Sequence, residues 1–275
     1  MPAMRRGTSG KRLTPAEKAA LRLFEAHERR ERFAPLPAEL APRSIDEAHA
    51  IQDAFVAQRA QKLGGIAGYK VALTSQQMRR FVGVDEPQAG MMLESTLHRS
   101  PARVRAADYV RLVVEFEIAV QIAEDLPAAD KPFSRERVAR SVGAVMPALE
   151  LADDRNADYS QLARHPLELI ADNCWNEGAV LGAPVQDWKT IDLAAVRGVA
   201  TINGNKVGEG RGADAMGHPL DAVVWLADHL ASIGRGLLRG DVVITGSIIT
   251  TKAVTAGDRV LFDVEKLGAV ELRVD

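Results

Sequence analysis

The apolar positions of the chain follow a helical spacing at first and a strand spacing afterwards. Thr14-Pro15 precedes the stretch AEKAALRLFEAHERRERF, and such a pair is typical of the first turn of a helix. A second helix is predicted over residues 45–65, where apolar side chains recur at helical spacing and two glycines end the pattern. Ser44 and Glu47 have the spacing of a capping box at its start.

After residue 65 the pattern is mostly that of strands. IAGYKVALT and VVEFEIAVQI alternate or are rich in β-branched residues, and GVATINGNKVGEG predicts a hairpin that turns at Asn203-Gly204. GDVVITGSII and GDRVLFDVEKLGAVELRV predict three further strands. Two helices are predicted between them, in SRERVARSVGAVM and HPLDAVVWLADHLASIG. Helices followed by a mostly β body predict an α+β fold.

The composition narrows the class of protein. Of the 275 residues, 47% are hydrophobic and 26% are charged, which is typical of a globular protein. The 35 basic and 37 acidic residues nearly balance, so neither nucleic acid nor an anionic membrane is expected as the main partner. No apolar run is long enough for a transmembrane helix. The basic start, MPAMRRGTSGKR, lacks an apolar segment and is expected to be a disordered tail. A single cysteine, Cys174, excludes an internal disulfide, and the cytoplasm is the expected location.

Two glutamates interrupt the apolar run VVEFEIAVQI. Glu115 and Glu117 share one face of a strand and lie about 6–7 Å apart. Two carboxylates at that distance repel by roughly 2–3 kcal/mol at an effective dielectric constant of about 20. They either face water or are held by a cation or a shared proton. Glu150, in the apolar segment VMPALELA, supplies a third acid, and three such oxygen ligands suit Mg²⁺ or Mn²⁺ better than zinc.

A series of motifs extends this hypothesis. GYKVALTS, VEFEIAV, PALELADDR, ADNCWNEGAVLG, GRGADAMGHPLDAVVWLADHLASIG and LLRGDVVITGS occur in this order, and together they resemble the 2-keto-4-pentenoate hydratase family of the fumarylacetoacetate hydrolase superfamily. The resemblance implies a mixed β-roll, with residues 1–65 as a tail and helical region and residues 66–275 as the catalytic domain. It implies a divalent metal, Mg²⁺ or Mn²⁺, on Glu115, Glu117 and Glu150, and a homo-oligomer.

The resemblance also implies chemistry and site residues. The substrate would be a small 2-hydroxy-2,4-dienoate, hydrated through its 2-oxo form to a 4-hydroxy-2-oxo acid, with Lys70 as the proton carrier. A lysine that protects an edge strand is the alternative for Lys70. Burial near a metal would lower the pKa of Lys70 toward neutrality. The candidate substrate contacts are Arg211, Asp172, Trp175 and Ser247.

Three of the four candidate substrate contacts have a structural alternative. Arg211 could instead form an ion pair at a surface or between subunits. Asp172 and Asn173 could form a hydrogen-bonding scaffold, and Ser247 could belong to an ordinary turn. His218 is expected to begin a helix. Thr250 and Lys252 lie near Ser247 and are further candidates.

Two positions depart from the family pattern. Gln88 stands where many relatives have a catalytic aspartate; glutamine is no base but can orient a water. Trp175 stands where some relatives have a small residue, and it would reshape the pocket. These departures leave open a decarboxylase of an unsaturated 2-oxo diacid and a non-catalytic binder of small acids. A C–C hydrolase would need a water-activating histidine, and His27 and His49 are expected at a solvated helix surface.

Overall fold

The computed structural model describes residues 12–275, so all but the last residue of the predicted tail lies outside the described part. Over those residues the helices α1–α6 are Pro15–Glu28, Ile45–Leu63, Gln76–Val82, Arg135–Ser141, Pro166–Ala171 and Pro219–Ser232. The strands β1–β13 are Ile66–Ala72, Gln88–Leu93, Leu97–Arg99, Ala102–Val104, Leu112–Ile122, Val142–Asp153, Asn176–Leu181, Arg197–Ile202, Asn205–Arg211, Val242–Ile244, Ile249–Ala253, Arg259–Val264 and Gly268–Val274.

The strands form two mixed sheets. The larger has the order β2-β1-β10-β5-β6-β7-β3, and β11 adds to it by pairing with β5. The smaller has the order β4-β13-β12-β8-β9. Parallel pairs, such as β1 with β10, occur beside antiparallel ones such as β5 with β6. The predicted α+β class with mixed strands is therefore confirmed.

The structure corrects details of the predicted elements. Ser44 caps α2 by accepting from the amide of Glu47, but the Glu47 carboxylate accepts from the amide of Arg43 at 2.8 Å, so only half of the predicted capping box forms. The helix predicted in SRERVARSVGAVM ends at Ser141 and continues directly as β6. The C-terminal part contains four strands rather than three, because residues 249–253 pair with β5.

The N-terminal helices pack on the same core as the sheets. Leu23 of α1 and Phe55 of α2 belong to one buried cluster with Val71 of β1 and Phe262 of β12. The division into residues 1–65 and 66–275 therefore separates regions of the sequence that share a core, and it stays a prediction. Within the described residues, no helix is long and apolar enough to cross a membrane.

The strand β5 separates two environments. Val114, Phe116 and Ile118 are fully buried in the main core. The other face of β5 carries Glu117 and then Ala119, which packs in a second cluster with residues of β6, β7 and β10. We call this second face, which carries Glu115 and Glu117, the interior face of the large sheet. The candidate site lies on it.

Candidate metal and substrate site

Three glutamates converge on the interior face of the large sheet. Glu115 and Glu117 follow the two-residue period of β5, and Glu150 of β6 lies directly opposite Glu115 in the strand register. One carboxylate oxygen from each residue lies within 4.8 Å of those of the other two. The ligand oxygens around one divalent cation span about 4–5 Å, twice a metal–oxygen distance of 2.0–2.6 Å. The arrangement fits three ligands of one ion.

The hydrogen bonds of the cluster leave acceptor atoms unused. Thr251 donates to Glu115 Oε1 at 3.0 Å, the amide of Gly246 donates to Glu117 Oε2 at 2.6 Å, and Asn176 donates to Glu150 Oε1 at 2.9 Å. Glu117 Oε1 and Glu150 Oε2 are buried and have no hydrogen-bond partner within residues 12–275. Buried oxygens without a donor are the atoms that a cation would take as ligands.

Lys70 reaches this cluster from β1. Its side chain is 5% exposed, and its ammonium nitrogen lies 2.7 Å from Glu150 Oε1 and 3.3 Å from the carbonyl of Cys174. Strands β10 and β5 separate β1 from β6 in the sheet order, so the sheet must curve inward for this contact to form. Lys70 is a central-strand residue that β2 and β10 flank, which excludes the edge-strand alternative.

The charges of the cluster favour a divalent cation. Three carboxylates and one ammonium leave two negative charges in a site where Glu117 and Glu150 have no exposed surface. Burial, together with the neighbouring carboxylates, raises the pKa of Glu117 well above its ordinary value. Burial also raises the pKa of Glu150, although Lys70 opposes that rise. A bound divalent ion would offset the excess charge, so the donor set fits such an ion.

The pKa of Lys70 in the metal-free cluster has the opposite direction to the lowering expected beside a metal. Burial would lower that pKa, but the charges of Glu150 and Glu115 outweigh burial and raise the pKa above its ordinary value. An ammonium beside two carboxylates keeps its proton because the negative charges of the carboxylates stabilise its positive charge. Lys70 is therefore a hydrogen-bond donor in this arrangement.

A left-handed turn presents the carbonyl of Cys174 to Lys70. Asn173, Cys174 and Trp175 have φ angles of 52°, 48° and 61°, values that non-glycine residues rarely adopt. The side chain of Asn173 holds the turn by accepting from the amide of Met91 and donating to its carbonyl, at 2.8 and 2.9 Å. These bonds to β2 offset the strain of the turn. Asn173 is thus the scaffold that the sequence suggested.

Asp172 has the contacts of a scaffold residue, the alternative to its role as a substrate contact. It is 1% exposed, its Oδ1 lies 2.6 Å from Nε2 of His27, and its Oδ2 accepts from Arg155. Burial would raise the pKa of Asp172, but Arg155 and His27 outweigh burial and lower it. Because both oxygens are engaged, Asp172 positions the turn that follows it.

The interpretation of His27 as a solvated surface residue is wrong. Its side chain is 13% exposed and lies between Asp172 and Glu177. Burial would lower the pKa of His27, but Asp172 and Glu177 raise it to about 9. The ring is therefore a buried cation that ties α1 to the site, and its charge makes it a poor base for activating water. His49 is half-buried and lies against the ring of His229.

Gln88 lies on the same face as Lys70. The two residues are near neighbours because Gly90 pairs with Lys70 across β1 and β2, and Gln88 is two residues before Gly90. Gln88 is 4% exposed; its Nε2 donates to the carbonyl of Glu86 at 3.2 Å, and its Oε1 is buried without a partner. Among the described residues, that oxygen is therefore an acceptor without a donor. Asp85 and Glu86 are exposed.

The remaining candidate contacts are engaged elsewhere. Arg211 is exposed at the end of β9 and donates to the carbonyl of Ala195 at 3.1 Å. The hydroxyl of Ser247 donates to the carbonyl of Ile249 at 2.6 Å and accepts from the amide of Phe116 at 3.0 Å, so it is committed to backbone. The structure therefore does not bring the Arg211 or Ser247 side chain into the carboxylate cluster. His218 begins α6, as expected, and accepts from the amide of Leu220.

Trp175 contributes to an apolar wall. Its ring packs edge-on against Phe33 and lies in a buried cluster with Val113 and Ala152. Those two residues lie on the same strand faces as Glu115 and Glu150, two positions along each strand. Trp175 Nε1 is buried without a partner. The wall therefore adjoins the carboxylates.

The sequence interpretation missed several contributors to the site, among them Asn176 and Gly246, which donate to Glu150 and Glu117. Thr251 binds Glu115, whereas Thr250, the candidate, is exposed. The two residues are adjacent in β11, so their side chains point to opposite faces of the strand. Strand β11 was not predicted. Arg155 is buried beside Asp172, although arginines are seldom buried without such a partner. Its position in the motif PALELADDR was the available signal.

Comparisons with known proteins find matches over most of the chain. The sequence model described as the fumarylacetoacetate hydrolase C-terminal region matches residues 59–275. A 2-keto-4-pentenoate hydratase of Paraburkholderia phymatum is 32% identical over 257 residues, which cover 92% of this chain and 95% of the relative. A 2-hydroxyhexa-2,4-dienoate hydratase of Comamonas testosteroni is 28% identical over 254 residues, 92% of this chain and 94% of the relative.

A solved structure shows the same fold. The 4-oxalocrotonate decarboxylase from Pseudomonas putida G7, complexed with magnesium and adipate, superposes with a TM-score of 0.87 and 24% identity, covering 97% of this chain and 100% of that one. At that identity the likeness concerns the fold alone. The match over most of the chain and the near-full-length relatives show that the chain belongs to the fumarylacetoacetate hydrolase family, in the branch of the 2-keto-4-pentenoate hydratases.

Proposed function

We propose that this protein is a metal-dependent hydratase, a hydro-lyase that adds water to a small 2-hydroxy-2,4-dienoate and yields a 4-hydroxy-2-oxo acid. The observation that carries the proposal is the convergence of Glu115, Glu117 and Glu150 beside Lys70 on one buried face. Relatives that cover 92% of the chain and carry hydratase names support it. The catabolism of aromatic or related compounds is the proposed setting.

The three glutamates would hold Mg²⁺ or Mn²⁺, with Glu117 Oε1 and Glu150 Oε2 among the ligand atoms. When bound, such an ion supplies Lewis acidity to a 2-oxo acid. Three protein ligands leave positions open for substrate and water. Burial of Glu117 and Glu150 keeps bulk water away and strengthens every electrostatic contact within the site.

Lys70 is the proposed proton carrier. Its ammonium lies beside Glu150 and is aimed by the carbonyl of Cys174, so it can donate to a reacting atom at a fixed position. Gln88 complements it with the unpartnered Oε1, which can accept from the attacking water and orient it. Glutamine takes up no proton, so Gln88 would position the water, while Lys70 would give a proton to the chain carbon and regain one from the water that adds.

The wall beside the carboxylates favours an uncharged distal end of the substrate. In the described strands, the interior positions of β5 and β6 other than the glutamates are Val113, Ala119, Gln121, Ala144, Met146, Ala148 and Ala152, none of them basic. A second carboxylate would lie there without a cationic partner, which costs free energy. This supports hydration of an apolar dienoate over decarboxylation of a diacid.

The test is an ultraviolet assay on 2-hydroxydienoates with hydrogen, methyl or carboxylate at the far end, with and without Mg²⁺ or Mn²⁺. Metal-dependent loss of the dienol absorbance without release of CO₂ is expected for the uncharged compounds. Stoichiometric CO₂ from the carboxylate analogue would instead assign the decarboxylase, and no turnover of any compound would leave a small-acid-binding protein. Homo-oligomeric assembly and a cytoplasmic location also remain proposals, and light scattering after gel filtration tests the first.

A further inference from the structure

A second cavity lies apart from the carboxylate cluster, between α1 and the chain segment that follows it. Its volume is about 110 Å³, and its lining includes Arg22 of α1, Glu31 and Arg32 of the following segment, and Arg155 from the turn after β6. Neither Lys70 nor any of the three site glutamates lines it. We call this cavity the arginine pocket.

The arginine pocket carries an excess of positive charge. Three guanidinium groups face one carboxylate, that of Glu31, which accepts from Arg22 Nη2 at 2.6 Å. Arg32 donates only to the carbonyl of Asn156, at 3.3 Å, and within the described residues no carboxylate lies at ion-pair distance from it. Arg22 is thus paired with Glu31 and Arg155 with Asp172, whereas Arg32 has no carboxylate partner among the described residues.

Two buried donors of the pocket have no acceptor. Arg155 is 2% exposed, and although one of its nitrogens donates to Asp172, its Nε has no hydrogen-bond partner. Arg22 Nη1 is likewise buried without a partner. Leaving buried N–H groups unpaired is unfavourable, and among the described residues both of these groups belong to side chains that line the same small space.

We propose that the arginine pocket binds a small oxyanion, a carboxylate or inorganic phosphate, that accepts hydrogen bonds from Arg22 and Arg155. Guanidinium groups recognise the oxygens of both anions in a planar, charge-assisted geometry. A volume of about 110 Å³ equals on the order of three to four water volumes, so it suits acetate or phosphate and excludes a nucleotide. Arg32, which is exposed, contributes charge at the rim.

The position of the pocket links it to the site. Arg155 donates to Asp172, and Asp172 precedes the left-handed turn whose Cys174 carbonyl contacts Lys70. An anion on Arg155 would thus sit two contacts away from the turn. The binding proposal itself is independent of the reaction that the protein catalyses.

Isothermal titration of the metal-loaded protein with inorganic phosphate, and separately with sodium acetate, tests the proposal at constant ionic strength. Saturable binding of at least one anion is expected, and the tighter anion identifies the class. Arg22→Ala should weaken binding about tenfold or more, the loss expected for one charge-assisted hydrogen bond. Arg43→Ala is the matched control, because Arg43 is exposed and pairs only with Glu47.

Arg32→Ala provides a second variant that alters only an exposed side chain, in case Arg22→Ala does not fold. It should weaken binding less than Arg22→Ala does. Absence of saturable binding, or equal affinities in wild type, Arg22→Ala and Arg32→Ala, would overturn the proposal. The titration contains no dienoate, so its failure is distinguishable from a failure of the proposed hydratase activity.

Discussion

Replacing Glu117 with glutamine should have opposite effects on stability with and without metal. The cluster holds three carboxylates within 4.8 Å, and two unit charges at that distance repel by about 3–4 kcal/mol at an effective dielectric constant of about 20. Glutamine keeps the shape and can still accept from the amide of Gly246, but it carries no charge. Metal-free Glu117→Gln should therefore be more stable than metal-free wild type.

The gain in stability should be smaller than the full repulsion energy. Burial raises the pKa of Glu117, so proton uptake already relieves part of the repulsion in metal-free wild type. We expect a gain of about 1–3 kcal/mol in the free energy of unfolding, which for a chain of this size raises the thermal midpoint by roughly 2–8 °C. Adding Mg²⁺ at about 100 times its dissociation constant should stabilise wild type by about 2.7 kcal/mol. Glu117→Gln should lose most of that stabilisation and its turnover.

Differential scanning calorimetry, with chelator and then with Mg²⁺, measures both effects. Glu39→Gln, at an exposed position, is the control and should match wild type in each condition. If Glu117→Gln responds to Mg²⁺ as wild type does and turns over dienoate at the same rate, the glutamates hold no catalytic metal and the reasoning fails.

Four further predictions concern other residues. Lys70→Met should lower kcat about 10²–10⁴-fold, the usual contribution of a general acid, while Mg²⁺ binding by calorimetry persists; an unchanged kcat would remove Lys70 from the mechanism. Gly90→Ala should lower both kcat and the free energy of unfolding, because its Cβ would lie 2.8 Å from Lys70 Cγ and 3.0 Å from the backbone oxygen of Asn173; a wild-type rate would show that Lys70 tolerates displacement. Gln88→Asp should change the pH profile of kcat by adding a titratable group, and an identical profile would place Gln88 outside the site. The pKa of His27 is raised to about 9, so its stabilising charge is fully present below about pH 6.5 and is lost as the pH rises through 9. Denaturant unfolding should show wild type losing stability by about 2–3 kcal/mol over that window relative to His27→Gln, whereas parallel profiles would contradict the buried cation.

The interior face of β5 shows how much of the site the sequence could predict. Alternation in a strand is local, so Glu115 and Glu117 had to share a face once VVEFEIAVQI formed a strand. The apolar surroundings of Glu150 indicated a buried strand in the same way, and the family motifs joined the three residues. Their convergence within 4.8 Å agrees with that prediction.

The contacts around Lys70 and His27 show what local pattern cannot give. His27 meets Asp172 across 145 positions of sequence, and its amphipathic helical surroundings look the same whether the ring faces water or a buried carboxylate. Local pattern also cannot distinguish Thr251 from Thr250, because a shift of one residue in strand register decides which hydroxyl contacts Glu115.

The sequence by itself determined the α+β class, the starts of α1, α2, α4 and α6, the hairpin at Asn203-Gly204 and the three acids on strand faces, because each depends on the period and capping of a short segment. The short helices α3 and α5 were not predicted. Only the tertiary structure decided that the sheet curves until Lys70 touches Glu150 across two intervening strands. It also decided that the pKa of Lys70 rises, because that pKa depends on the charges that folding gathers around the ammonium rather than on the neighbours of Lys70 in the chain.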